Sequence, residues 1–328
     1  MPVPDIDAAR VEKLLCAAVA APSIHNSQPW RFRLDPRTPA VEVRAAPQRR
    51  LPLADPALRA VHLSVGAAVF NLRVAAGHLG WAPEVRLLPD AQDPDLLARV
   101  LLTDPDAQGP VMPALYEAIA RRRTSRLPFT GRPVPEQIIA EMASGVRVEG
   151  GRLHVPDVVE TRRMLRLTAE AEQRNQADWR RTAESRAWVV PRDSGPFGVP
   201  VDALGPADAA RRIPMRDFTG IPVRFPAPRP VRFERHAQLA LLWTREDGPE
   251  DWLRAGQGLE RALLLATARG VRTSALYQAL EWPDLREQLV RRPRRCPQFL
   301  IRFGYGPEGA PTPRARALVA SARARRAS

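Results

Sequence analysis

Cysteine is nearly absent from this 328-residue chain: Cys16 and Cys296 stand far apart and in no CxxC or Cys/His spacing. That excludes a disulfide framework and a structural zinc site, and it fits a reducing compartment. Histidine is scarce, with five scattered residues, and tyrosine scarcer, with three. Lysine occurs only at Lys13, so the +14 formal charge is carried by arginine. Such a charge raises nucleic acid or an anionic membrane as partner, because clustered cations bind phosphate regardless of sequence. No aromatic residues interleave the Arg runs as a base-stacking platform needs. The richness in Ala, Pro, Leu and Val instead suggests a GC-rich genome that writes Arg wherever a surface cation serves. Also missing are a basic start followed by an apolar run, and any apolar stretch of about 18 residues. The expectation is a soluble, cytoplasmic protein of one large or two ordinary domains, with no nucleic-acid or membrane partner. No GxSxG elbow, Walker loop or GxGxxG after a strand is present, and Ser, His and acidic residues show no triad spacing. If the chain is an enzyme, a cofactor supplies the reactivity.

Asp5 or Asp7 can cap a helix that is apolar at Val11, Leu14, Leu15, Ala18 and Val19 and ends at Pro22. Residues 30–34 and 40–44 alternate as a strand pair. Asp55 as N-cap and Pro56 as first helical residue open a helix stopped by Gly80, so apolar on most faces that it belongs mid-domain. Strands at 84–88 and 97–103, a helix at 116–123, a helix from Pro135, a strand at 152–155 and a polar helix over 157–185 follow. Residues 191–230 are Pro/Gly-rich with little periodicity, as a functional lid would be. A strand at 238–244, helices at 251–269 and 283–291, a strand at 299–303 and an Arg/Ala-rich tail from Arg314 complete the chain. Segments 65–80 and 255–270 align without a gap, Gly66 on Gly256, Val69 on Leu259, Ala76 on Ala266 and Gly80 on Gly270. This is either an internal repeat or two unrelated core helices.

Three constellations could carry chemistry. The loop A-P-S-I-H-N-S-Q-P-W offers Ser23, His25, Asn26, Ser27 and Gln28 with no carboxylate and no cation. That set suits the edge of a neutral heterocycle or sugar-like hydroxyls; as ordinary turn formers, the same residues could simply tie the loop down. R-R-R-T-S-R at 121–126 combines guanidinium forks with hydroxyls, which matches phosphate oxygens, or alternatively a solvated helix end. P-R-A-R at 313–316 follows the last strand, and the run at 291–295 reads as a solvated face.

Together these stretches resemble the FMN-dependent nitroreductase superfamily, closest to its long, fused Acg-type members. A-P-S-I-H-N-S-Q-P-W-R-F resembles the signature APSxxNxQPWxF, and R-R-T-S-R resembles RRSxR, with Thr124 at the first Ser. G-A-A-V-F-N-L and G-Q-G-L-E-R-A-L-L both resemble the central helix, C-P-Q-F-L-I-R-F-G-Y-G the last strand, and P-R-A-R the basic tail. The resemblance implies an α+β, nitroreductase-like fold of two tandem half-units joined as an intrachain pseudo-dimer. The halves would be 1–110, with the loop, and 111–328, with R-R-T-S-R, a lid over about 186–235 and the tail. It implies one composite FMN site. Arg122, Arg123, Thr124, Ser125 and Arg126, with Arg314 and Arg316, would serve the phosphate region, and Pro22, Ser23, His25, Asn26 and Gln28 the ring or ribityl chain. Gln278 lies in L-Y-Q-A-L, where family members approach the flavin by backbone contacts, although the usual Glu-Gly pair is missing there. The implied function is NADPH- or NADH-dependent hydride transfer through FMN to a nitroaromatic, quinone or similar flat acceptor, by a monomer that mimics a dimer. The alternative is a flavin-sequestering protein with a closed lid and little turnover.

Overall fold

Two 20-residue helices cross at the centre of the molecule, α2 (Arg59–His78) and α7 (Pro249–Ala268). The computed structural model describes residues 7–35, 37–103, 113–218, 228–290 and 294–316. When Gly66 is laid on Gly256, the two helices begin and end at matching positions, Arg59 on Pro249 and His78 on Ala268. At the crossing, neither glycine has room for a side chain. A Cβ built on Gly66 would lie 3.0 Å from Gly256 Cα and inside the contact shell of the Leu253 carbonyl oxygen; one on Gly256 would meet Gly66 Cα and the Leu63 carbonyl likewise. Small residues at the crossing let the axes approach closely. His62 and Trp252, also matching positions, pack edge to face at 5.4 Å. Both helices stop at a glycine with positive φ, Gly80 (87°) and Gly270 (73°), a backbone that side chains disfavour.

The chain is laid out around this pair. Helix α1 (Ala8–Val19), capped by Asp7 accepting from Arg10 N at 2.7 Å, packs on α2. Strands β1 (Trp30–Leu34), β2 (Ala40–Ala45), β3 (Ala82–Leu87) and β4 (Leu96–Thr103) form an antiparallel sheet ordered β1-β2-β4-β3, with α2 between β2 and β3. Helix α3 (Pro113–Arg121) packs against both central helices, and α4 (Glu136–Val148) leads to β5 (Arg152–His154). An insertion then carries α5 (Val158–Ala177), α6 (Trp179–Ala187) and the short parallel pair β6 (Val189–Val190) and β7 (Val199–Pro200). With β8 (Gln238–Thr244), β9 (Arg272–Ala275) and β10 (Cys296–Gly304), β5 forms a second antiparallel sheet ordered β5-β8-β10-β9. Here α7 joins second strand to third, and α8 (Pro283–Gln288) precedes the last. The two sheets therefore share one strand order and one central-helix position. This is the α+β plan of two tandem half-units.

The second sheet is buried on both faces. Ala240 and Leu242 of β8 face α7 and α4, while Leu239 and Leu241 face α5 and α8, so the strand reads as an unbroken apolar run. The first sheet keeps a polar outer face, where buried Glu42 takes Arg33 at 2.8 Å and Arg99 at 2.9 Å.

Three expectations are corrected. Helix α2 starts at Arg59, beyond Pro56, because Leu58 turns with φ 62° and the Asp55 carboxylate caps from a distance, accepting from Ala60 N and Val61 N at 2.9 Å each. The polar helix breaks at Asp178, whose extended backbone ends α5 and whose side chain caps α6. An apolar run long enough to cross a membrane does exist: α2 has a mean hydropathy of 1.3, and 89% of that window is buried between its own sheet and α7. The boundary expected at 110/111, Asp5, the lid residues 219–227, positions 291–293 of the basic run and the tail beyond Arg316 lie outside the described residues.

Candidate functional site

The loop after α1 is strained. His25, Asn26 and Gln28 have φ of 49°, 53° and 49°, a region costing about 1 kcal/mol or more for each side-chain-bearing residue. Its tethers hold it there. Gln28 N donates to Ser23 Oγ at 2.9 Å. Asn26 Nδ2 donates to the carbonyls of Gly198 (2.9 Å) and Pro313 (3.0 Å), and its Oδ1 accepts from Arg314 Nη1 at 2.7 Å. Gln28 Nε2 donates to Pro196 O at 2.6 Å, and its Oε1 accepts from Ala315 N at 3.0 Å. The Asn26 and Gln28 amides thus join loop, inserted segment and tail, and neither residue lines the cavity beside them.

That cavity and the solvent-open space at its mouth together span about 960 Å3 at the crossing of the half-units. Pro22, Ser23 and His25 form one side, Thr124, Arg126 and Gln278 another, and Leu63, Leu259 and Leu263 of the central helices the floor. Thr124 pairs with Thr273 of β9, and Ser125 N donates to Thr273 O at 2.8 Å, so the R-R-T-S-R segment extends the second sheet to this wall. Arg59 donates to Leu280 O and Gln298 O, fixing the helical turn Gln278–Glu281. Two buried atoms at the cavity, Ser274 Oγ and Tyr277 OH, have no hydrogen-bond partner.

Residues 213–218 of the insertion lie over the cavity. Arg216 forms an ion pair with buried Glu281, Asp217 N donates to Glu172 Oε1 at 2.9 Å, and Gln278 Nε2 donates to Pro214 O at 3.0 Å. Phe218 meets the His25 ring edge-on at 5.3 Å. Burial, then Arg216 and Arg126, hold the His25 imidazole well below its usual range, so it is neutral at physiological pH. Arg126 donates to Ala203 O at 2.9 Å; burial and the facing Arg216 draw it down to about 10. Burial pushes the Glu281 carboxyl up, against the pull of Arg216.

Behind the loop lies a cluster of arginines. Arg122 and Arg314 both donate to Ala20 O, at 3.1 and 3.4 Å, while Arg123 donates to the carbonyls of Ala120 and Arg122 at 2.8 Å. Burial and repulsion from Arg122 and Arg123 draw Arg314 down to about 9. The carboxyls acting on these cations are buried Glu260, 3.4 Å from Arg122, and exposed Glu308, which pairs with Arg272. Ala20 precedes Pro22 and Ser23, and Arg123 precedes Thr124, so cluster and cavity are adjacent along two segments. Ser125 is buried away from the cavity, its Oγ donating to Pro307 O at 3.3 Å; Arg316 is exposed.

The matching position in the other half is filled. Phe70 stands where Glu260 stands, and the guanidiniums near it, Arg73 and Arg261, share Glu149 at 2.6 and 2.9 Å. Both guanidiniums are already engaged in an ion pair. Sequence reasoning did not single out Glu260, Arg216, Phe218, Ser274 or Tyr277 as site residues, although Arg216 and Phe218 lie in the expected lid and Tyr277 in L-Y-Q-A-L. Glu260 carried a signal of its own, an acid at a buried phase of an apolar helix.

No family model matches the chain. It is 34% identical over 320 residues to "Putative NAD(P)H nitroreductase Rv3131" of Mycobacterium tuberculosis (strain ATCC 25618 / H37Rv), covering 94% of this chain and 90% of that one. It is 30% identical over 299 residues to "Putative NAD(P)H nitroreductase acg" of the same strain, covering 89% and 87%. The crystal structure of the FMN and NADPH-dependent nitroreductase NfnB from sphigopyxis sp. strain HMH aligns with 16% identity and a TM-score of 0.38, over 61% of this chain and 94% of that chain. The doubled α+β unit is a nitroreductase-like fold. The chain belongs to the family of the Acg-type NAD(P)H nitroreductases.

Proposed function

We propose that the chain is an FMN-binding oxidoreductase of nitroreductase type that takes electrons from NADPH or NADH and delivers them to a flat acceptor such as a nitroaromatic or quinone. The observation that carries this reading is the cluster of buried Arg122 with half-buried Arg123 and Arg314, under-neutralised and adjacent to the cavity. The donor set fits the group: guanidinium forks suit a phosphate, and the apolar floor with the unpartnered Ser274 Oγ and Tyr277 OH suits a ring with polar edges. FMN, when bound, accepts hydride from a nicotinamide and releases electrons to the acceptor.

The protein groups position and polarise. Arg122, Arg123 and Arg314 would hold the phosphate, and Pro22, Ser23, His25, Thr124 and Gln278 would flank the ring system. Arg126 would present positive charge where reduction places negative charge, a preorganised donor at the cavity wall. His25, held neutral, can act as hydrogen-bond donor or acceptor there. The half-units would be 1–110 and 111–328, each lending one side to a single site, so the chain would act as a cytoplasmic monomer with one FMN.

A second reading is favoured by the segment 213–218, which is anchored over the cavity by Arg216, Asp217 and Gln278. If it stays closed, the protein sequesters flavin with little turnover. Titration of the purified, unliganded chain with FMN, followed by anaerobic addition of NADPH and NADH, tests both. Saturation near one FMN per chain with bleaching supports the oxidoreductase; saturation without bleaching supports sequestration; no uptake refutes both.

A further inference from the structure

Glu260 sits on α7 beneath the arginine cluster, fully buried, and neither carboxylate oxygen has a well-aligned hydrogen-bond partner, the Asn71 amide being the one donor that approaches it. Arg122 Nε, 3.4 Å away, has none either. A buried carboxylate so poorly hydrogen-bonded is costly, and such groups persist where a charge opposes them. The groups acting on it are Arg122 from the end of α3, Arg314 from the tail and Asn71 from α2; Asn71 Nδ2 donates to Ala17 O at 3.0 Å. Other charged groups around α7 are paired elsewhere: Glu149 after α4 with Arg73 and Arg261, Arg302 of β10 with Glu234, and Arg272 of β9 with Glu308. At the matching position in the other half, where the two nearby guanidiniums share Glu149, the residue is Phe70. A loosely held acid thus accompanies the open cluster and is absent from the closed one.

We propose that Glu260 is the cluster's exchangeable counter-ion, a carboxylate that takes up a proton when a phosphate group binds Arg122 and Arg314. The proposal rests on the flavin reading, with the phosphate supplied by FMN. An ionised Glu260 still leaves net positive charge on Arg122, Arg123 and Arg314, but an arriving phosphate repels the carboxylate across a low-dielectric interior and competes for the same donors, and the carboxylate is the group that can neutralise itself in place. Burial has already pushed Glu260 up to about 7, against the pull of Arg122, Asn71 and Arg314. The arriving phosphate raises it further, so the liganded protein binds more protons than the free one. Affinity from this group is complete below the free-state value and falls as pH rises through it, by up to about tenfold per pH unit above 8. The second ionisation of the phosphate, near 6, acts in the opposite sense and is common to all variants.

Calorimetric titration with FMN at pH 7.5, in two buffers of different ionisation enthalpy, reads the proton uptake directly. The wild-type chain is expected to take up about half a proton or more per FMN beyond any change in a Glu260→Gln variant. At pH 8.5 that variant should bind FMN about tenfold or more tightly than wild type, and at pH 6 about equally. Riboflavin, which has no phosphate, should show no Glu260-dependent uptake. The ratio of FMN to riboflavin affinity between pH 7 and 8.5 should fall more steeply in wild type than in Glu260→Gln, since Arg314, drawn down to about 9, contributes to both. Equal proton uptake by both chains, or an equally steep fall in both, would overturn the proposal while leaving FMN binding intact. Failure of wild type to bind FMN at any pH would overturn the flavin reading as well.

Discussion

Gly66 and Gly256 seat one another: the Cα of each lies 3.0 Å from where a Cβ on the other would be, at matching points of the two central helices. The relationship is reciprocal, so the two substitutions should behave alike. Gly66→Ala and Gly256→Ala are each expected to destabilise the chain by about 3 kcal/mol or more in urea unfolding, because the obstacle is backbone and cannot turn aside. The double variant should lose less than the sum, since one separation of the helices relieves both clashes. Gly77→Ala, on the same helix with nothing within 4 Å of its Cβ, should gain up to about 1 kcal/mol. Equal losses at all three positions would contradict the crossing geometry.

Arg123 is half-buried and donates only to carbonyls of its own segment, so its removal should spare the fold. Arg123→Ala is expected to weaken FMN by about 10- to 100-fold, the worth of a charge-assisted hydrogen bond, and to leave riboflavin unchanged. Fluorescence titration with both ligands checks this; FMN held as tightly as in wild type would remove Arg123 from the phosphate site.

The Arg216–Glu281 ion pair ties the covering segment to the cavity wall. Arg216→Ala should speed FMN dissociation by about tenfold and hasten proteolysis within 191–218. Should NADPH bleach the flavin in this variant and not in wild type, the closed segment is what limits turnover.

Asp247 accepts from Arg286 twice at 2.6 Å, from Trp252 Nε1 at 2.7 Å and from Gln298 Nε2 at 3.0 Å, joining α8, α7 and β10. Although desolvation opposes it, these donors hold its carboxyl far below the ordinary carboxylate range. A depressed acid stabilises the fold above its unfolded value, near 3.9, and loses that contribution as pH falls toward the folded value. The stability gap between wild type and Asp247→Asn should be full at pH 6 and narrow steadily below about 4. A gap that stays constant between pH 6 and 2.5 would contradict the assignment.

The regular elements were legible in the sequence because their causes are local. Val11, Leu14, Leu15 and Ala18 mark α1 by period, β8 is placed to the residue by its apolar run, and Gly80 and Gly270 mark the helix stops. The pairing of Gly66 with Gly256 was visible as an alignment, and the structure turns that alignment into a contact. What stayed hidden depends on distant segments meeting. Asn26 and Gln28 offer the same amides whether they face a ligand or the carbonyls of Gly198 and Pro196, which lie far along the chain. Arg216 and Phe218 sit in a stretch without periodicity, and only the fold brings them over His25. Glu260 could have been singled out, since an acid at that phase of an apolar helix needs a reason to be there.

The Asn26 side chain holds the inserted segment and the tail at once, from a residue of the cavity loop itself. To uncover the cavity from this side, the chain must break three hydrogen bonds of a single amide together and release a backbone held at positive φ. Escape of a bound molecule by this route is then a small cooperative unfolding event, and its rate follows the stability of the junction rather than the strength of the ligand's own contacts. Denaturant far below the global midpoint should therefore shorten the residence time of whatever the cavity holds.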